Sequence, residues 1–157
     1  MKEIEYKTLE AEVINIISSN GIMVLATSSK DRVTARAMSC VNDGLKIYFQ
    51  TGIDSIKYAQ MKENPNVALC CANMQIEGKS KFLDQSLREK TIIGKYAIEH
   101  PGSYEKYSSM KKSFVVEIVP SLVTLWKYEN GNPLRDILDI AGRKAYREYY
   151  DISERVD

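Results

Sequence analysis

Residues 34–57 read TARAMSCVNDGLKIYFQTGIDSIK. Two short runs of strand character flank Asn42-Asp43-Gly44, and such a tripeptide between apolar runs is a good hairpin signal. Arg36 lies in the first run. Gln50 and Thr51 close the second, and Ser55 and Lys57 follow where a helix begins. An arginine on a strand, hydroxyls at a helix start and a lysine in its first turn can meet around one anion. A guanidinium grips phosphate with a planar fork, and a helix start offers free backbone N–H groups. The stretch therefore predicts a cradle for the phosphate of a bound cofactor.

Upstream, Leu9, Val13, Ile16 and Ile17 recur at helical spacing and Asn20-Gly21 is a stop signal, which predicts a helix over 7–19. Residues 22–27 are a continuous apolar run too short for a helix and read as a buried strand. Residues 28–31 read as a turn, 33–41 as the second strand and 45–51 as the third. Downstream, a helix is expected over 54–63, ended by Asn64-Pro65. Residues 67–72 are again all apolar, the pattern of a strand covered on both faces. Residues 75–83 alternate and should pair with it.

Helical spacing returns over 86–99 and 103–112. Strands are expected over 114–119 and 122–128, separated by Pro120, the second carrying the only tryptophan, Trp126. After the turn cluster Asn130-Gly131-Asn132-Pro133, residues 134–150 read as a helix weakened by Gly142. Six or seven strands joined by hairpins, with helices inserted between them, imply a mainly antiparallel α+β domain. Closure of the sheet into a small barrel removes its edges.

The totals fit one domain of 157 residues. A net charge of +1 and a pI near 7.6 provide no global field toward nucleic acid or membrane. No apolar run approaches a membrane span, and the first residues lack the apolar core of a signal peptide, so the cytoplasm is the expected compartment. Cys40, Cys70 and Cys71 are odd in number and lack Cys-x-x-Cys spacing, so buried free thiols are expected. With His100 as the one histidine, neither a Ser-His-Asp triad nor a multi-histidine metal site is indicated.

Order and spacing together resemble the pyridoxamine phosphate oxidase-like FMN-binding split barrels, from the first helix to Trp126. The strand led by Arg36 is similar to the family strand whose arginine meets the FMN phosphate and whose next residues present backbone to the flavin, which carries to Ala37, Met38 and Ser39. Gln50-Thr51 followed by Ser55-Ile56-Lys57 resembles the family's Tyr-Thr and Ser-Arg-Lys, with the same gap of six from threonine to lysine. Asn64-Pro65 resembles the family's Asn-Pro before a buried strand. Glu77-Gly78 resembles a recurrent Glu-Gly and puts Asn73 where the family often has a flavin-contacting glutamine. Trp126 falls where the family has a flavin-proximal tryptophan.

The resemblance implies one FMN-binding split-barrel domain, with its core over about 7–128 and a tail over 129–157. It also implies a homodimer with FMN at the interface and flavin-dependent oxidoreductase activity on a small molecule. Catalytic side chains are not named by it. Its alternatives are a non-catalytic flavin-binding or redox-sensing protein, or a relative holding a deazaflavin or heme.

The departures concern the substrate. The oxidase that names the family has an arginine where this chain has Ile56, and a lysine where it has Val41. Its Tyr-x-x-x-Arg-x-x-x-Ser run for the substrate phosphate has no counterpart between Phe82 and His100. Charged contacts of this kind contribute about 1.5–3 kcal/mol each; their loss argues against pyridoxamine phosphate as substrate. Each matched residue also has a plainer role. Arg36 and Lys57 fit solvated surface charges, Thr51 and Ser55 helix caps, Asn73 and Gln75 edge-strand polar positions, and Trp126 packing. Arg143, Lys144 and Arg147 fit a wet helix face, and Tyr146, Tyr149 and Tyr150 a cover for a partner's pocket.

Overall fold

The structure is a computed structural model that describes residues 1–83, 92–107 and 112–150. The parts of the expected helices that fall on 86–91 and 108–111 lie outside the described residues. Ten strands and four helices follow in the order β1 (Lys2–Ile4), α1 (Tyr6–Ser19), β2 (Ile22–Ser29), β3 (Arg32–Ser39), β4 (Val41–Asp43), β5 (Lys46–Gly52), α2 (Ile56–Glu63), β6 (Asn66–Cys71), β7 (Met74–Phe82), α3 (Ile92–Glu99), α4 (Pro101–Tyr107), β8 (Ser113–Glu129), β9 (Asn132–Asp139) and β10 (Lys144–Tyr149). Every pairing among them is antiparallel. The architecture is α+β, a split barrel with helices outside, and its described residues form ten strands where the sequence suggested six or seven.

The strands run β1-β10-β9-β8-β7-β6-β2-β3, and β8 is long enough to divide one of its edges. Its first half pairs with β5, from Ile47↔Ile118 to Gly52↔Ser113, and its second half pairs with β9, while β7 runs along the other edge. The Asn42-Asp43-Gly44 signal marks a real hairpin, but a short one. Only Val41, Asn42 and Asp43 pair across it, and β3 pairs with β2 instead. The expected strand over 33–41 is broken at Cys40, whose N–H donates to Gly21 O at 2.8 Å. This break carries the chain from one wall of the barrel to the next.

Pro120 does not end a strand. The β7–β8 register shifts at Glu77/Gly78, so that Gly78 pairs with Pro120 and Leu122 pairs with Glu77. Ser121 is the extra residue of the bulge, and its hydroxyl donates to Glu77 O at 3.2 Å. The bulge absorbs the missing proline N–H. It also explains Gly78: a Cβ there would sit 2.6 Å from Val119 O and 3.0 Å from the Cα of Pro120. Gly78→Ala is therefore expected to lower stability by about 1–3 kcal/mol, the usual cost of forced overpacking, as read from the midpoint of urea unfolding. An unchanged midpoint would mean that the bulge opens freely.

The core lies between α1 and the inner sheet face. Leu9, Val13 and Ile17 of α1 are buried, as their spacing predicted, against residues such as Met23, Leu25, Ile47, Phe49 and Leu125. Residues 134–149 form the β9–β10 hairpin rather than a helix, and β1 adds to its edge. The tail is thus part of the sheet. Arg147 is not on a wet helix face: it grips the buried Asp136 through both carboxylate oxygens at 2.7 and 2.8 Å, with Lys127 at 2.8 Å from the same group. Among the described residues no helix is long and apolar enough to cross a membrane.

The outer face of the sheet is open. β2 and β6 were expected to be covered on both sides, yet along each strand burial alternates. Met23 and Leu25 are buried while Ile22 is 56% and Val24 45% exposed; Val67 and Leu69 are buried while Cys70 is open. The expectation that all three cysteines are buried fails at Cys70. By register, Ala37, Val24, Cys70, Gln75 and Thr124 follow one another across this face, from β3 to β8.

Candidate functional site

β5 ends at Gly52 and α2 begins after Ser55, and this corner does what its residue types favour. Ser55 caps the helix, its Oγ accepting from Tyr58 N at 3.2 Å and donating to Gly52 O at 2.9 Å. Thr51, 3% exposed, sets its hydroxyl 2.9 Å from that of Ser55. Lys57 then projects from the first turn. Across the corner runs β3, carrying Arg36, Ala37, Met38 and Ser39. Together with Gln50 these residues line one cleft of about 520 Å³. Eight of the ten positions singled out in the sequence thus meet in one place.

The far wall comes from α3 and α4, through Tyr96 and Ser103. No sequence signal marked these two residues; their place depends on how the two helices dock. That docking is visible in two bonds to the β3 end. Ser103 Oγ lies 3.3 Å from Ser39 Oγ, and His100 Nε2 donates to Cys40 O at 2.8 Å. The lone histidine therefore meets the backbone of Cys40, not its thiol. Burial pushes that thiol up to about 12, so it stays protonated and is no nucleophile.

The cleft carries two cations, Arg36 and Lys57, against one carboxylate, that of the exposed Asp54. Among the described residues neither Arg36 nor Lys57 is paired with a carboxylate. Burial lowers the Lys57 ammonium below the ordinary lysine range, and the nearby Arg36 charge lowers it further. Burial also lowers Arg36. Two half-buried cations close enough to repel, neither of them in an ion pair among the described residues, are a site that an anion would relieve.

A second observation concerns the β5 wall of the same cleft. Gln50 Oε1 is buried with no hydrogen-bond partner among the described residues, the one such side-chain atom there, and Gln50 lines the cleft. An acceptor left open in this way is costly unless a ligand N–H or O–H completes it. A flavin nucleotide carries both complements: a phosphate for the cations and hydroxyl and imide donors for the amide. The residues present fit that group.

Asn73 and Trp126 are not in this cleft. They lie in a second, open depression of about 650 Å³ on the outer face, with Cys70, Gln75 and Arg135. Asn73 Nδ2 donates to Trp126 O at 2.7 Å, and Trp126 N donates to Asn73 O at 2.9 Å, which locks the β6–β7 turn to β8. The Trp126 ring, 39% exposed, leans on Tyr150 with centroids 4.9 Å apart. Ile56 is exposed and Val41 buried, and neither lines the cleft of Arg36 and Lys57.

Known proteins share this architecture. A candidate pyridoxamine 5'-phosphate oxidase of Listeria innocua is 23% identical, with 74% of this chain and 97% of that one covered at a TM-score of 0.59. A Clostridium acetobutylicum protein related to general stress protein 26, of the pyridoxinephosphate oxidase family, is 18% identical over 89% of this chain and 99% of its own, with a TM-score of 0.62. A FAD-binding protein of Mesorhizobium loti is 12% identical over 72% and 90%, with a TM-score of 0.55. No curated protein sequence matches this one. At these identities the likeness of structures shows the fold. The sequence itself goes further, because the family model for pyridoxamine 5'-phosphate oxidase matches residues 9–127, from the first buried leucine of α1 through most of β8, and this chain belongs to that family.

Proposed function

We propose that this protein is an FMN-dependent oxidoreductase, acting as a homodimer on a small molecule in the cytoplasm. The observation that carries the reading is the pair of cations outside any ion pair, Arg36 and Lys57, lining one cleft together with the orphaned Gln50 acceptor. Arg36, Lys57, Thr51 and Ser55 would hold the phosphate, and residues 37–39 would pass along the flavin. When bound, the flavin supplies the hydride or electron chemistry. The chain binds it, orients it and excludes water from it. Three free thiols suit a reducing compartment.

Dimerisation is supported by the outer face. Non-alternating apolar strands are the signature of burial on both sides, yet the outer sides of β2 and β6 are bare in the lone chain. A second copy is the cover that closed symmetry favours. Stacking this face on itself would carry the Asn73–Trp126 depression of one protomer toward the Arg36 cleft of its partner. Pyridoxamine phosphate is not the proposed substrate, because the second phosphate grip is absent from the sequence.

The test is an absorption spectrum of the purified protein with added FMN, followed by anaerobic NADH or NADPH. The expected result is a flavin spectrum at one FMN per chain, bleached by the reductant and restored by an acceptor. Bound flavin inert to every reductant would make the protein a flavin store or sensor. A deazaflavin or heme spectrum would replace the cofactor, and failure to bind FMN would sink the proposal.

A further inference from the structure

Gln60 lies on α2, three residues beyond Lys57, and is 3% exposed. Its amide oxygen accepts from two hydroxyls, Thr27 Oγ1 at 2.6 Å and Thr34 Oγ1 at 2.7 Å. Its amide nitrogen donates to Arg32 O at 2.9 Å. The same two hydroxyls face Arg36 on their other side. Arg36 Nη1 donates to Thr27 Oγ1 at 2.8 Å and to Leu25 O at 3.1 Å, and Nη2 donates to Thr34 Oγ1.

Chemistry at the two ends forces the direction of every bond in this knot. A guanidinium only donates, so both hydroxyl oxygens accept from Arg36 and each must send its single proton elsewhere. The Arg32 carbonyl only accepts, so the amide turns its NH2 there and its oxygen to the hydroxyls. Gln60 Oε1 takes both protons. Without it both hydroxyl protons lose their buried acceptor, and each side chain is free to swing toward another one and carry its lone pair away from the guanidinium. With it, three N–H groups of Arg36 are engaged inside the chain. Of the five a guanidinium carries, two are left for a ligand. The helix that carries Lys57 is thereby tied to the strand that carries Arg36.

We infer that Gln60 is a positioning residue of the phosphate site: by holding the Thr27 and Thr34 hydroxyls in their accepting orientation it fixes the Arg36 fork relative to Lys57, and so sets the preference for a phosphorylated over an unphosphorylated ligand. The inference rests on the flavin reading for its probes, FMN and riboflavin, which share one ring system and differ in the phosphate. A fork already fixed loses less freedom when it binds.

The experiment is calorimetric titration of the parent, Gln60→Leu and Arg36→Ala proteins and the double variant with both flavins. For Gln60→Leu the FMN Kd should rise about tenfold while the riboflavin Kd stays at the parent value. In the Arg36→Ala background the same substitution should add nothing, because its effect passes through Arg36. Should Gln60→Leu fail to fold, Thr34→Val, at a half-buried position, carries the same test with a smaller loss of FMN preference. Equal weakening of both flavins, an unchanged FMN preference, or an undiminished effect without Arg36 would each overturn the inference. A parent that prefers neither flavin would instead overturn the phosphate site itself, and the inference with it.

Discussion

Lys57→Ala should weaken FMN binding by about tenfold to a hundredfold without lowering the melting temperature of the ligand-free protein. The two halves of this result have one cause. Lys57 makes no hydrogen bond or ion pair with the described residues, and both burial and the Arg36 charge disfavour its protonated form. Removing the ammonium therefore relieves the empty fold while it strips the loaded one of a charged contact. Arg36→Ala should lose at least as much affinity but also some stability, about 1 kcal/mol, because the buried Thr27 and the half-buried Thr34 lose their donor. Titration with FMN and riboflavin, beside thermal melts without ligand, separates the two effects. A Lys57→Ala protein that holds FMN as tightly as the parent, or that melts well below it, would show that this lysine serves the fold and not a phosphate.

The corner between β5 and α2 could be read from sequence because it is local. Thr51, Ser55 and Lys57 lie within one strand-to-helix junction, and cap chemistry places their side chains whatever the rest of the chain does. Arg36 could be read because its strand is short and its neighbours are apolar. Tyr96 and Ser103 could not, since their position follows from the docking of α3 and α4 on the β3 end through His100 and Ser39. Gln60 falls inside the helix expected over 54–63, and nothing local distinguishes a glutamine that ties two elements together from one facing solvent.

The C-terminal hairpin was misread for a physical reason. Leu134, Asp136 and Leu138 all point inward along β9. With a charge in the middle of that series the period of two vanishes, and Leu134, Ile137 and Leu138 imitate the spacing of a helix. The carboxylate belongs there only because Lys127 and Arg147 meet it, and those partners lie on other strands. Burial raises the Asp136 pKa, but the bonds from Arg147 and Lys127 outweigh it and hold the group below the usual range. Pro120 misled in the same way, since its tolerance depends on Gly78 across the sheet.

Val24→Arg should convert the protein to a monomer, raising the dimer dissociation constant by at least about a hundredfold, and should release FMN with it. Val24 is 45% exposed in the single chain, so the substitution leaves the barrel core, packed on the other side of β2, untouched. In a dimer formed through this face an arginine would be forced against the apolar side of a second β2, and taking its charge out of water costs several kcal/mol in practice. The sign of the FMN effect is what makes the variant decisive. Val24 pairs with Ala37, which lines the phosphate cleft. On electrostatics alone a new cation there would favour an anionic ligand. Loss of FMN would therefore report loss of the partner and of what its Asn73–Trp126 depression contributes. Sedimentation velocity reads the assembly. Emission of the one tryptophan, quenched on FMN binding in the parent, reads the distance to the flavin. A monomer that still binds FMN as tightly as the parent would place the whole flavin site within one chain, and a dimer unmoved by Val24→Arg would put the interface on some other face.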